Sequence, residues 1–253
     1  MNKFIDTHAH IYAEYYSDIP SLINTINDFG VTRVINAGCD LKTSVEVLEL
    51  SEEYPSLSCA IGIHPENVMN YTDLDIKQIE KYLANTSVVA IGEIGLDYHY
   101  TKDNKELQKE LFKKQLKLAE NHNLPVVIHS REATEDTINI LKEFKVTGVI
   151  HSFSGSLETA KEYIKMGFAL GVNGVVTFKN AKLKYTLKEI DLKHIVLETD
   201  SPYLSPEPKR GKKNHPGNIP IIAEFLTEVY NLSLEEIAKI TSNNAHRIFD
   251  KMP

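Results

Sequence analysis

Val88-Val89-Ala90-Ile91-Gly92-Glu93 is a run of β-branched and small apolar residues that stops on an acid. The segment Lys105–His122 that follows carries Leu111, Gln115, Leu118 and Ala119 at helical spacing. A buried strand followed by an amphipathic helix is the unit from which this chain is read. Moving outward, the same kind of short run recurs at Lys3–Thr7, Thr32–Ala37, Leu57–Ile63, Pro125–His129, Thr147–His151, Phe168–Val172 and Ile195–Asp200. Amphipathic stretches lie between them at Ser21–Phe29, Thr43–Tyr54, Asp73–Asn85, Ala133–Phe144 and Leu157–Met166, with a weaker one at Asn180–Glu189. Two more, Ile219–Tyr230 and Ser233–Phe249, follow the eighth strand. Ser233 and Glu236 have capping-box spacing, Gly30 stands where a left-handed residue ends a helix, and Asn123 and Pro125 stop the helix before them.

Eight strands alternating with helices predict a TIM (β/α)8 barrel, an α/β fold, as one domain over residues 1–253. A doubly wound open sheet shares the alternation but rarely needs eight strands, and here no Gly-rich phosphate fingerprint follows the first. Pro206–Gly217 reads as a long loop after the last strand rather than a linker.

The polar residues that close the strands carry the chemistry. His8 and His10 close the first, His64 the third, Glu93 the fourth, His129 the fifth, His151 the sixth and Asp200 the eighth. In a barrel these C-terminal ends meet at one mouth, where the catalytic groups of this fold lie. Residues i and i+2 of a strand point the same way, so His8 and His10 can grip one ion. Imidazole and carboxylate donors suit divalent cations such as Mg, Mn, Zn, Co or Ni. Six donors exceed one tetrahedral site, which predicts two divalent metal cations. Glu93 is the expected bridging ligand, with His8, His10 and Asp200 completing one ion and His129 and His151 the other. His122, His194 and His246 fall elsewhere and are assigned to structure.

Composition bounds the partners. The chain has 253 residues and a formal net charge of −7, which argues against coating nucleic acid by bulk electrostatics. The stretch from Met166 to Phe178 lacks charge for 13 residues and holds three glycines, too short for a membrane span. Its start has no apolar signal region, and two cysteines, Cys39 and Cys59, are too few for a disulfide framework. A cytoplasmic setting is the expectation.

These residues sit in stretches that resemble the TatD family of metal-dependent deoxyribonucleases, within the metal-dependent hydrolase superfamily. The matching stretches are Asp6-Thr7-His8-Ala9-His10, Gly62-Ile63-His64-Pro65, Gly92-Glu93-Ile94-Gly95-Leu96-Asp97-Tyr98 and Ile128-His129-Ser130-Arg131. They continue with His151-Ser152-Phe153-Ser154-Gly155, Glu198-Thr199-Asp200-Ser201-Pro202-Tyr203 and Arg210-Gly211-Lys212-Lys213-Asn214, covering about Phe4 to Phe249. The resemblance implies a TIM barrel and the metal ligands His8, His10, Glu93, His129, His151 and Asp200. It also implies hydrolysis of DNA phosphodiesters, often from the 3′ end of single strands. Ser152 stands where the family commonly has Cys, and His215-Pro216 where it often has Glu-Pro.

On this reading Asp200 orients a cation-activated water and accepts its proton. Arg131 forks onto a phosphate, and His64 meets a phosphate oxygen or a metal ligand. Lys209, Arg210, Lys212 and Lys213 form a basic cluster beside the mouth, and Tyr12, Tyr98, Phe153 and Tyr203 offer stacking faces for unpaired bases. Three other activities are weighed: a C–N hydrolase, which often uses a strand-four lysine absent from Val88–Gly95; an enzyme of RNA, nucleotides or abasic DNA; and a non-catalytic metal-binding barrel that docks a partner.

Overall fold

The computed structural model describes residues 2–99, 101 and 103–253. Its strands are β1 (Phe4–Ala9), β2 (Val31–Ala37), β3 (Leu57–Ile61), β4 (Val88–Asp97), β5 (Val126–Arg131), β6 (Gly148–Ile150), β7 (Phe168–Val172) and β8 (Ile195–Leu197). The helices are α1 (Ile19–Asp28), α2 (Leu41–Glu53), α3 (Asp73–Tyr82), α4 (Lys105–His122), α5 (Thr134–Leu141), α6 (Leu157–Lys165), α7 (Leu183–Leu187), α8 (Ile219–Tyr230) and α9 (Leu234–Ile248). The sheet runs β1 to β8 in chain order. The pairs β1–β2, β3–β4, β4–β5, β5–β6 and β7–β8 are parallel. The last strand returns to the first: Thr7 Oγ1 donates to Leu197 O at 3.0 Å, and a parallel bridge joins Ala9 to Ser201. This is the topology of a TIM (β/α)8 barrel, as the alternation predicts.

The chain divides into two compact units, Met1–Asn36 with Ser152–Arg247, and Ala37–His151 with Ile248–Pro253. In the first, every residue of β1 is buried. Asp6 lies at its centre, fully buried, accepting from the His8 and Thr199 N–H groups at 3.2 and 2.9 Å and from Thr199 Oγ1 at 2.5 Å. Burial drives its pKa up to about 8 against those three donors, with Glu198 adding to the rise. Asp6 therefore ties the first strand to the segment that follows the last. In the second unit β4 is buried along all ten residues. It does not stop at Glu93 as its sequence suggests but continues to Asp97, because Ile94 to Asp97 keep their pairing with Ile128 to Arg131 of β5.

Helix ends follow their side chains. Thr72 with Asp75 and Ser233 with Glu236 form reciprocal caps. Asn123 ends α4 in the left-handed region at φ 51°, and Gly30 takes φ 77° after α1. Among the described residues no helix is long and apolar enough to cross a membrane.

Candidate active site

In the first unit, strand alternation sends His8 and His10 to the same side, and Asp200 meets them from the loop after β8. His8 Nε2 lies 3.1 Å from His10 Nε2, and Asp200 Oδ1 lies 3.7 and 3.5 Å from these two atoms. Backbone pairing fixes the approach, since Asp200 N–H donates to His8 O at 2.9 Å and His10 N–H to Ser201 O at 2.7 Å. Asp200 itself sits in the left-handed region, at φ 55°. On the far side of His10, Nδ1 meets the Tyr12 hydroxyl at 2.9 Å. A neutral imidazole has one nitrogen that donates and one that accepts. With Nδ1 of His10 turned to Tyr12, its Nε2 is directed at His8 and Asp200. Two imidazole nitrogens and one carboxylate oxygen aimed at a common point suit a divalent cation.

In the second unit Glu93, 3% exposed, is the centre. Its Oε1 lies 2.8 Å from His129 Nδ1, 3.5 Å from His64 Nε2 and 3.7 Å from His151 Nε2. His64, Glu93 and His129 place one donor atom each within 4.8 Å of one another, a spacing that a metal ion can fill. His64 stands in this group as a neighbour of the Glu93 carboxylate. Its Nδ1 accepts from Glu66 N–H at 3.2 Å, so its proton sits on Nε2, facing Glu93. β4 and β5 come close enough for these contacts because residue 95 is glycine: at φ 145° its Cβ would lie 2.0 Å from His129 O.

Asp97 was not singled out by the sequence reading, although it falls four residues beyond Glu93 and on the same face of one strand. Its Oδ2 lies 2.9 Å from His129 Nε2. His129 is thus held by a carboxylate at each nitrogen. Burial opposes its charge, but Asp97 and Glu93 prevail and hold its pKa up to about 10. Burial likewise pushes the Asp97 carboxyl up, and the His129 ring, the His99 N–H and Arg131 together bring it below its ordinary value.

The predicted substrate contacts divide. Arg131 ends β5 and is exposed, in register with Asp97. Arg210 is exposed on the loop after β8, its guanidinium 4.3 Å from the Phe178 ring centre. Tyr98 departs from expectation: it is 3% exposed, its hydroxyl donates to Asp136 at 2.8 Å and Lys105 covers its ring at 4.1 Å. That packing would have to open before a base could stack on it. Tyr12 and Phe153 are also buried, whereas Tyr203 is 50% exposed and its ring centre lies 6.3 Å from that of His10.

The family model described as TatD related DNase matches residues 5–250. The metal-dependent hydrolase YabD of Bacillus subtilis is 45% identical over 249 residues, covering 96% of this chain and 98% of its own. The metal-dependent hydrolase YcfH of Escherichia coli K12 is 34% identical, covering 97% of this chain and 95% of its own. The crystal structure of YjjV, a TatD homologue from Escherichia coli K12, superposes with a TM-score of 0.91 at 31% identity, covering 98% of both chains. An organophosphorus hydrolase from Deinococcus radiodurans, at TM-score 0.65 and 14% identity over 97% of this chain and 92% of its own, shares the fold. With its histidines and acids grouped at the strand ends as a divalent ion requires, the chain belongs to the TatD family and is a metal-dependent hydrolase.

Proposed function

We propose that the chain hydrolyses phosphodiester bonds of DNA, removing nucleotides from the 3′ end of single strands. Two divalent cations would be held, one by His8, His10 and Asp200 and one by Glu93, His129 and His151. Bound cations supply the Lewis acidity that lowers the pKa of water and offsets phosphate charge. The observation that carries the reading is the meeting of His8 Nε2, His10 Nε2 and Asp200 Oδ1 within 3.7 Å.

The protein groups have separable tasks. Asp200, 15% exposed at its side chain, orients the attacking water and takes its proton. His64 offers its Nε2–H to Glu93 or to a nonbridging phosphate oxygen, and Arg131 adds a fork of donors from the end of β5. Tyr203, half exposed beside His10, supports an unpaired terminal base as the preferred partner, because stacking needs a face that duplex pairing would keep occupied. Lys209, Arg210, Lys212 and Lys213 give an acidic chain one basic loop for the phosphate backbone. Cys39 and Cys59 are not joined in a disulfide, and a reducing, cytoplasmic setting is the reading that accompanies this.

The test is incubation of Mn2+-loaded protein with 5′-labelled single-stranded DNA, RNA, abasic duplex DNA and a cyclic amide. The expected result is a ladder shortening from the 3′ end of the single-stranded DNA. Turnover of the amide alone would replace this reading with C–N hydrolysis, and turnover of RNA or abasic duplex alone with another phosphoesterase.

A further inference from the structure

The second unit holds an arrangement that reaches past the ligands themselves. His129 lies between two acids of one strand, with Nδ1 2.8 Å from Glu93 Oε1 and Nε2 2.9 Å from Asp97 Oδ2. Only one nitrogen of a neutral imidazole carries a proton, and the partner of the other nitrogen decides which. Asp97 is a firmly placed partner. Its Oδ1 accepts from His99 N–H at 2.8 Å, its own N–H donates to Gln108 Oε1 at 2.8 Å, and its carbonyl accepts from Gln108 Nε2 at 2.8 Å. Gln108, 2% exposed on α4, is held in turn by Asn104 Oδ1 at 2.9 Å. A short chain of bonds therefore runs from a buried helix face through Asp97 to the far nitrogen of His129.

We propose that Asp97, with its backbone clamped by Gln108, is a positioning residue that keeps the His129 proton on Nε2 and turns Nδ1 toward Glu93 as a metal donor. The inference rests on His129 being a ligand, as in the reading above. A carboxylate behind an imidazole fixes both its tautomer and its ring orientation, and losing such a partner typically costs about 10–100-fold in metal affinity. Gln108 contributes by fixing the height of Asp97 along β4, which the side-chain contact alone would leave adjustable.

The experiment measures Mn2+ affinity by calorimetry and, in the Zn2+-loaded protein, the 15N spectrum of the His129 ring. Asp97→Ala is expected to weaken Mn2+ binding about 10–100-fold and to erase the protected Nε2–H signal. Asp97→Asn, whose carbonyl oxygen can still accept that proton, is expected to retain the tautomer and most of the affinity. Gln108→Leu is expected to shift both readouts in the direction of Asp97→Ala, by less, and it keeps the question open to measurement should Asp97→Ala fail to fold. Wild-type affinity and an unchanged ring spectrum in Asp97→Ala overturn the inference and leave the nuclease reading standing. Equal losses in the Asn and Ala variants overturn orientation in favour of charge alone. A wild type that cleaves no phosphodiester, yet shows the Asp97 dependence, removes the nuclease reading and spares this one.

Discussion

Gln108 and Gln115 stand about two turns apart on α4, and each closes a pair of hydrogen bonds around one backbone residue. Gln108 brackets Asp97, and Gln115 brackets Ile63 with its Oε1 2.7 Å from the N–H and its Nε2 2.9 Å from the carbonyl. Ile63 precedes His64 and Asp97 holds His129, so one helix sets the heights of two imidazoles around Glu93. Asn36 does the same from β2, bracketing Ile11 beside His10 at 2.7 and 2.9 Å. Buried amides thus replace ladder bonds where strands leave the sheet to deliver their site residues.

Gln115→Leu keeps the volume at this position but leaves the Ile63 N–H and carbonyl without these partners in the core. Each buried group left unsatisfied costs about 1–3 kcal/mol. The urea midpoint of the variant should fall accordingly, with metal affinity falling alongside because His64 no longer keeps its place against the Glu93 carboxylate. An unchanged midpoint would mean that water replaces the amide.

Glu93→Ala should abolish hydrolysis and weaken divalent binding while the far-UV circular dichroism stays that of the folded barrel. Calorimetric stoichiometry adds a second result. Loss of one ion per chain assigns Glu93 to the ion of His129 and His151 alone, and loss of both gives it the bridging role. Wild-type turnover would remove it from the site.

The pH dependence has opposite signs with and without metal. In metal-free protein the His129 pKa is raised from 6.5 to about 10. Its charge therefore adds stability in full below pH about 6.5, and that contribution is lost as pH rises through about 10. The melting temperature of the metal-free protein should fall over that window, and His129→Gln should flatten the fall. Activity of the loaded enzyme should decline in the other direction, as pH drops through the histidine range, because protons compete with metal for imidazole. A rate constant unchanged down to pH 5 would contradict the ligand set.

Replacing Lys209, Arg210, Lys212 and Lys213 together by Ala should raise KM for oligonucleotides and flatten its salt dependence, by roughly 0.7 in logarithmic slope for each single-strand phosphate that is no longer neutralised. The members differ in what they already touch. Lys209 Nζ donates to Asn218 Oδ1 at 2.8 Å, whereas the Arg210 side chain is 60% exposed. Arg210→Ala alone should therefore account for more of the slope than Lys209→Ala, which salt titrations of KM can separate.

The fold was legible because period-two and period-3.6 segments alternate along nearly the whole chain, and the candidate donors could be proposed because they close strands one, three, four, five, six and eight. The misjudged points share one cause. A polar residue after an apolar run reads as a strand end, which truncated β4 at Glu93 and concealed Asp97, although the ladder to β5 runs on. The same habit overextended β6 and β8, since His151 and Asp200 lie beyond the ends of these strands and a left-handed residue turns the chain there, Ser152 in one case and Asp200 itself in the other. Tyr98 looked like a stacking face because its position was visible and its burial under Lys105 was not. Long-range clamps such as Gln108 and Gln115 leave no local signature, since a buried glutamine on a helix resembles any other polar residue until its partner is known.

The backbone angle at Asp200 governs how the enzyme can be silenced cleanly. At φ 55° most side chains would be strained, and asparagine, aspartate and glycine are the residues that visit this region at least cost. An Asp200→Asn protein would thus keep the turn and lose only the negative charge. An inactive chain made that way could hold an intact oligonucleotide for crystallography, whereas an alanine or leucine in the same place would disturb the scaffold along with the chemistry.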